Sequence, residues 1–143
     1  MIQELYQKNL LRLAADAIGD GVMSDPDAEI TLDNPVCGDR ITVQVKFKDG
    51  KITDLRHENR SCMLCQASAS VLGAHAAGLA FKDVLEIREA VRSMLNKEDG
   101  QKMSPWRDLD CFHVVAEHKS RHQCVLLPFD ALIGALETFK TKA

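Results

Sequence analysis

The chain has 143 residues, 45% hydrophobic and 27% charged, a size and balance that suit one folded domain with one core and exclude a disordered chain. A net charge of -3, with one Trp, one Tyr and five Phe, supplies neither a basic field nor a stacking platform for nucleic acid. Charge or glycine interrupts the apolar runs well short of a bilayer span, and the opening MIQELYQKNLLRLA is amphipathic and unlike a signal peptide, so a cytoplasmic chain without a membrane partner is expected.

In chain order, Leu5, Leu10, Leu13 and Ala17 fall near one face of a helix over 5–18, and Gly19-Asp20-Gly21 stops it. Asp16, Asp20, Asp25 and Asp27 form an acidic region that reads as a solvated face or a surface for a basic partner. A turn-rich segment then leads through NPVCGDR into ITVQVKFK, where Ile41, Val43, Val45 and Phe47 alternate with Thr42, Gln44, Lys46 and Lys48. Asp49-Gly50 turns this strand into KITDLRHE, which makes a hairpin with one wet face. From Cys62 the period becomes helical through QASASVLGAHAAG, and a second helix covers FKDVLEIREAVRSML before the loop NKEDGQKM. Ser104 caps a third predicted helix with Pro105 at its first position and Trp106, Leu109 and Phe112 as its core stripe. Pro128 opens the last, with Phe129, Leu132, Ile133, Leu136 and Phe139 on one face. Strands followed by helices predict an α+β fold with helices packed on an antiparallel sheet, and residues 1–143 read as a single domain without repeat or linker.

Five cysteines is an odd number, and in a reducing compartment thiols serve as metal ligands, catalytic groups or core filler rather than disulfides. Cys37 and Asp39 flank Gly38, so a backbone turn there lets both reach one metal, although an Asp-rich turn before a strand is also common without one. Cys62 lies at a strand-to-helix junction and Cys124 just before the predicted last helix, where free N–H groups favour thiolate. Three thiolates and one carboxylate suit tetrahedral zinc or iron–sulfur chemistry, and the single oxygen donor, Asp39, is the replaceable ligand. Cys65 completes C-x-x-C but stands in line with Ala69, Leu72 and Ala76, so it reads first as a buried structural thiol, then as an alternate ligand, and last as half of a redox pair. Cys111, beside Leu109 and Phe112, reads as core filler. His118 and His122 read as surface residues of the solvated EHKSRH, His75 as a packed helical histidine, and His57 and His113 have no evident partner.

The segments NPVCGD, SCMLCQASAS and RHQCVLLPFDAL resemble the three signature segments of the U-type iron–sulfur assembly scaffolds, the IscU, SufU and NifU N-terminal proteins. The interval of 62 positions from Cys62 to Cys124, against 25 from Cys37 to Cys62, and the lack of LPPVK before Cys124 are similar to the SufU branch. Arg121 resembles that branch's arginine, while His122 does not match the histidine that directly precedes the last cysteine of IscU. The resemblance implies a three-stranded antiparallel sheet with helices packed on it, of the SufE/IscU kind. It implies Zn²⁺ or a transient [2Fe–2S] cluster held by Cys37, Asp39, Cys62 and Cys124. The implied partners are a cysteine desulfurase of the SufS kind and downstream cluster or sulfur acceptors. On this reading the chain is an assembly scaffold and sulfur acceptor more than a stand-alone enzyme, with Cys37, in the loop that Gly38 loosens, as the persulfide acceptor. A zinc-dependent sulfurtransferase and a structural zinc-binding interaction domain are the alternatives.

Overall fold

The structure is a computed structural model that describes residues 2–98 and 105–142. Helix α1 (Ile2–Asp16) precedes strands β1 (Ala28–Asn34), β2 (Asp39–Lys48) and β3 (Lys51–Arg60), and helices α2 (Met63–His75) and α3 (Phe81–Leu95) follow. A 3₁₀ helix at Arg107–Val115, a 3₁₀ turn at Lys119–Arg121 and helix α4 (His122–Lys142) complete the order. The sheet is antiparallel in the order β1-β2-β3, so the α+β expectation stands with its three strands. The predicted cap Ser104 lies outside the described residues.

Asp49 and Gly50 join β2 to β3 with φ of 55° and 76°, the two positive values that a type I′ turn requires and that match the twist of the strands. Ile41, Val43 and Val45 of β2 are fully buried against Phe129, Leu132 and Leu136 of α4, and each such side chain contributes about 1.5–3 kcal/mol. On α1 the face that meets the core is Tyr6, Leu10, Leu13 and Ala14; Leu5, assigned to that face from the sequence, is 55% exposed. The helix ends early because Ala17 turns to φ +45°. Among the described residues no helix is long and apolar enough to cross a membrane.

Two expected elements differ from the reading. The segment at Pro105 becomes a 3₁₀ helix beginning at Arg107, with Leu109 and Phe112 buried. Pro128 lies inside α4, not at its start. Its missing N–H forfeits one bond, to the carbonyl of Cys124 one turn earlier, and its ring crowds that carbonyl, a cost of about 3 kcal/mol that the apolar face buried by the helix offsets. His122 is buried too, its Nε2 3.0 Å from the carbonyl of Ala116, because the chain doubles back between the 3₁₀ helix and α4.

His57 is 2% exposed on β3, with Nε2 donating to the carbonyl of Ile18 at 2.8 Å and Nδ1 within 3.3 Å of the Asn59 amide. The amide of Ile18 in turn donates to Ser70 Oγ of α2 at 3.0 Å. Burial holds the His57 pKa below the usual range, and Arg56 adds to this, against the opposing pull of the Ile18 carbonyl and Asp20. The fold therefore prefers the neutral ring, and the unfolded chain takes up the proton first, at about pH 6.5. Stability from this residue is complete above that pH and is lost as pH falls from it through the lower folded value. Melting temperatures between about pH 7 and about pH 5 should fall less steeply in His57→Gln than in the parent.

Candidate metal centre

NPVCGDR is the β1–β2 hairpin turn together with the two residues that open β2. Asn34 ends β1, Asp39 begins β2, and the two are register partners. The Gly38 amide donates to the Asn34 carbonyl at 2.8 Å, with Gly38 at φ +74°, a conformation that glycine adopts without strain. Cys37, at the tip, is half-buried beside Val36, which is 83% exposed.

Cys62 is the N-cap residue of α2, in extended conformation at φ -69° and ψ 166°, and its side chain makes no cap. Its amide instead donates to Asp39 Oδ1 at 2.8 Å, so a buried carboxylate from β2 sits at the positive end of the helix. Cys124 lies in the first turn of α4, inside the helix rather than before it as the sequence reading had it, and is fully buried. Burial pushes its thiol pKa up, and hydrogen bonding with Cys37, Asp39 and Cys62 pushes it the same way. Ionising such a thiol in place needs a compensating cation.

Cys124 Sγ lies 3.2 Å from Cys37 Sγ, and these two sulfurs and one Asp39 oxygen all fall within 4.8 Å of one another. Cys62 Sγ touches the group through Asp39 Oδ2, at 3.7 Å. Residues from a hairpin turn and two helix starts thus converge, with the two helix termini contributing partial positive charge. Asp39 also has a structural duty that its position in the sequence did not indicate. Asp39→Ala leaves the Cys62 amide without its acceptor and is expected to cost about 1–3 kcal/mol in the metal-free protein, read from its melting temperature.

The remaining candidates are engaged elsewhere. Cys65 is fully buried in the first turn of α2, and burial pushes its thiol up to about 12, so it stays protonated at neutral pH. Cys111 is 2% exposed and donates to the carbonyl of Asp108 at 3.2 Å, its pKa likewise raised to about 12 by burial. His75 stacks on Trp106 at 4.5 Å and meets Asp108 at 2.9 Å. His113 is exposed and stacks on Tyr6 at 6.1 Å between ring centroids. Arg121 is exposed beside Cys62, Met63 and His118 on the wall of a groove of about 500 Å³. Asn34, which stands in no ligand set drawn from the sequence, is buried next to the cluster, and the Asn-Pro step before a thiol is its signal in the sequence.

Fold and cluster together define an α+β protein that gathers thiols and a carboxylate at one end of a three-stranded sheet. Residues 5–143 match the family described as the NifU-like N terminal domain, and the chain belongs to that family. The crystal structure of a NifU-like protein (N-terminal) from Brucella abortus is similar over 99% of both chains, with 32% identity and a TM-score of 0.90. The chain is 36% identical over 84 residues to iron–sulfur cluster assembly scaffold protein IscU 1 of Archaeoglobus fulgidus, an alignment spanning 58% of this chain and 55% of that protein. It is 23% identical over 131 residues to the zinc-dependent sulfurtransferase SufU of Bacillus subtilis, covering 92% of this chain and 88% of that one.

Proposed function

We propose that the chain is an iron–sulfur cluster assembly scaffold that accepts sulfur from a cysteine desulfurase and holds a labile cluster or a zinc ion through Cys37, Asp39, Cys62 and Cys124. The observation that carries this reading is the convergence of two sulfurs and a carboxylate oxygen within 4.8 Å, with a third thiol against the carboxylate. The donor set fits the cargo: soft sulfur ligands suit zinc and iron–sulfur centres, and one hard oxygen makes the set easier to open. A resident Zn²⁺ would supply charge neutralisation for the thiolates and keep the three segments together.

Cys37 is the sulfur acceptor on this reading. It is half-buried on a turn whose glycine has open space around it, whereas Cys124 is fully buried in a helix. Its thiolate attacks the outer sulfur of the desulfurase persulfide. The new S–S bond forms on Cys37, the old S–S bond breaks, and the desulfurase cysteine leaves as thiolate. The alignment with the Bacillus subtilis protein over most of both chains favours one second reading, a zinc-dependent transferase that passes this sulfur onward without building a cluster.

The experiment is incubation of anaerobically purified protein with a SufS-type desulfurase and free cysteine, followed by peptide mass spectrometry, metal analysis and a visible spectrum. Added sulfur on Cys37 is the expected result. With iron supplied, a cluster spectrum supports the scaffold, and persulfide with bound zinc and no cluster supports the transferase. Sulfur on Cys124 with Cys37 unmodified would reverse the acceptor assignment, and none on any site thiol would leave a structural zinc domain as the better account.

A further inference from the structure

Asn34 is 4% exposed, yet among the described residues its Nδ2 has no hydrogen-bond acceptor. A buried donor in that state costs about 1–3 kcal/mol and calls for a reason. The orientation of the amide is fixed by its other end. Oδ1 accepts the amide proton of Val36 at 3.3 Å, and exchanging the two ends would set one donor against another. The main-chain oxygen is committed as well, to the Gly38 amide at 2.8 Å.

The surplus donor has a defined address. Asn34 pairs with Asp39 in the β1–β2 register, and directly opposed residues of an antiparallel pair send their side chains to the same face. Both residues are buried on that face, Asp39 carries its carboxylate into the thiol cluster, and Cys37 lies in the turn that connects the two strands. The free N–H therefore lies on the buried face that carries the cluster and not on the wet side of the hairpin.

We propose that Asn34 Nδ2 is a positioning donor for anionic sulfur on Cys37. The proposal rests on the metal-site reading above. An amide N–H directed at a thiolate withdraws charge from sulfur and fixes the direction in which the turn presents it. Outer partners of metal ligands commonly govern affinity by about 10- to 100-fold. The donor left over by the hairpin lies on the same buried face as the cluster that holds the sulfur of the hairpin tip, and that sulfur, as a metal-bound thiolate, would be its acceptor.

The test uses Co²⁺ in place of zinc, because its sulfur-to-metal charge-transfer band reports the electron density on the thiolates. Asn34→Leu and Asn34→Ala both lack the donor; Asn34→Ser keeps an acceptor for the Val36 amide and an O–H to give. The donor-free variants are expected to shift the band to lower energy and to weaken Co²⁺ binding about tenfold, and Asn34→Ser is expected to recover part of both. A band unmoved in the donor-free variants would overturn the proposal and leave the parent's metal site intact. A shift that Asn34→Ser fails to reverse would assign the effect to packing and overturn it equally. A parent protein that takes up no Co²⁺ would overturn the metal-site reading, and the proposal with it.

Discussion

Serine at Cys37, Cys62 or Cys124 is expected to weaken zinc or iron binding by more than about a hundredfold, while Cys65→Ser and Cys111→Ser keep the parent metal-to-protein ratio. The hydroxyl is a harder donor than thiolate and does not ionise at neutral pH, so each exchange removes a ligand and leaves a dipole in its place. Cys124 should be the most sensitive, because it is fully buried and water cannot take its place without entering the core. The control thiols are protonated and occupied: Cys65 is fully buried, and Cys111 is bonded to the carbonyl of Asp108. Metal analysis after gel filtration reads the ratio. Loss of bound metal should also lower the melting temperature, since a ligand at about 100 times its dissociation constant stabilises the folded chain by about 2.7 kcal/mol. Equal losses at Cys111 and the three site thiols would remove the assignment.

Gly73→Ala should be the most destabilising small substitution in α2. A methyl group there would stand 2.1 Å from the Ile18 carbonyl oxygen, 2.8 Å from its carbon and 3.1 Å from Gly19 Cα, all of them backbone atoms that cannot rotate away. Alanine's better helix propensity, about 1 kcal/mol over glycine, is outweighed by a clash costing about 3 kcal/mol or more. The carbonyl at risk is the one that accepts from His57, and the amide of the same residue is held by Ser70, so pushing Ile18 away loosens both bonds. A fall of about 10 °C in melting temperature is expected. The contrast is Gly134→Ala, where the methyl would meet only the flexible end of Ile30 and the loss should be small.

What could be read in advance follows from how local each signal is. Asp49-Gly50 between alternating runs defines its own hairpin because the turn chemistry and the strand period sit side by side. The helical run over Phe81–Leu95 is legible for the same reason, with its period kept by Val84, Ile87, Val91 and Leu95. Strand β1 has an alternation of its own, Ala28, Ile30 and Leu32 against Glu29, Thr31 and Asp33, but the turn residues on both sides of it drew the segment into a loop. Pro128 gave a false start for α4 because a proline that merely forfeits one carbonyl bond looks in sequence like a proline at a first turn. The thiols stand near element ends in the sequence, and the structure brings Cys37 and Cys124 to one Asp39 oxygen, with Cys62 against the same carboxylate. That Asp39 also holds the amide of Cys62, that His57 is buried against the distant carbonyl of Ile18, and that His122 folds back onto Ala116, depends on geometry that no local period encodes.

The separation of the site's donors along the chain bears on the order of folding. The β2–β3 hairpin closes over a two-residue turn, whereas Cys37 and Cys124 meet across 87 positions. Closing so long a loop is entropically costly, so local pairs are expected to form early and the thiol cluster, which also needs α4 docked on the sheet, to form late. Interactions absent from the transition state change the rate of unfolding and leave the rate of folding nearly untouched. In a denaturant chevron a bound metal should therefore lower the unfolding arm without moving the folding arm: a bound ion would decide how long the folded chain lasts once made, and would leave the speed of its making to the hairpin and the helices.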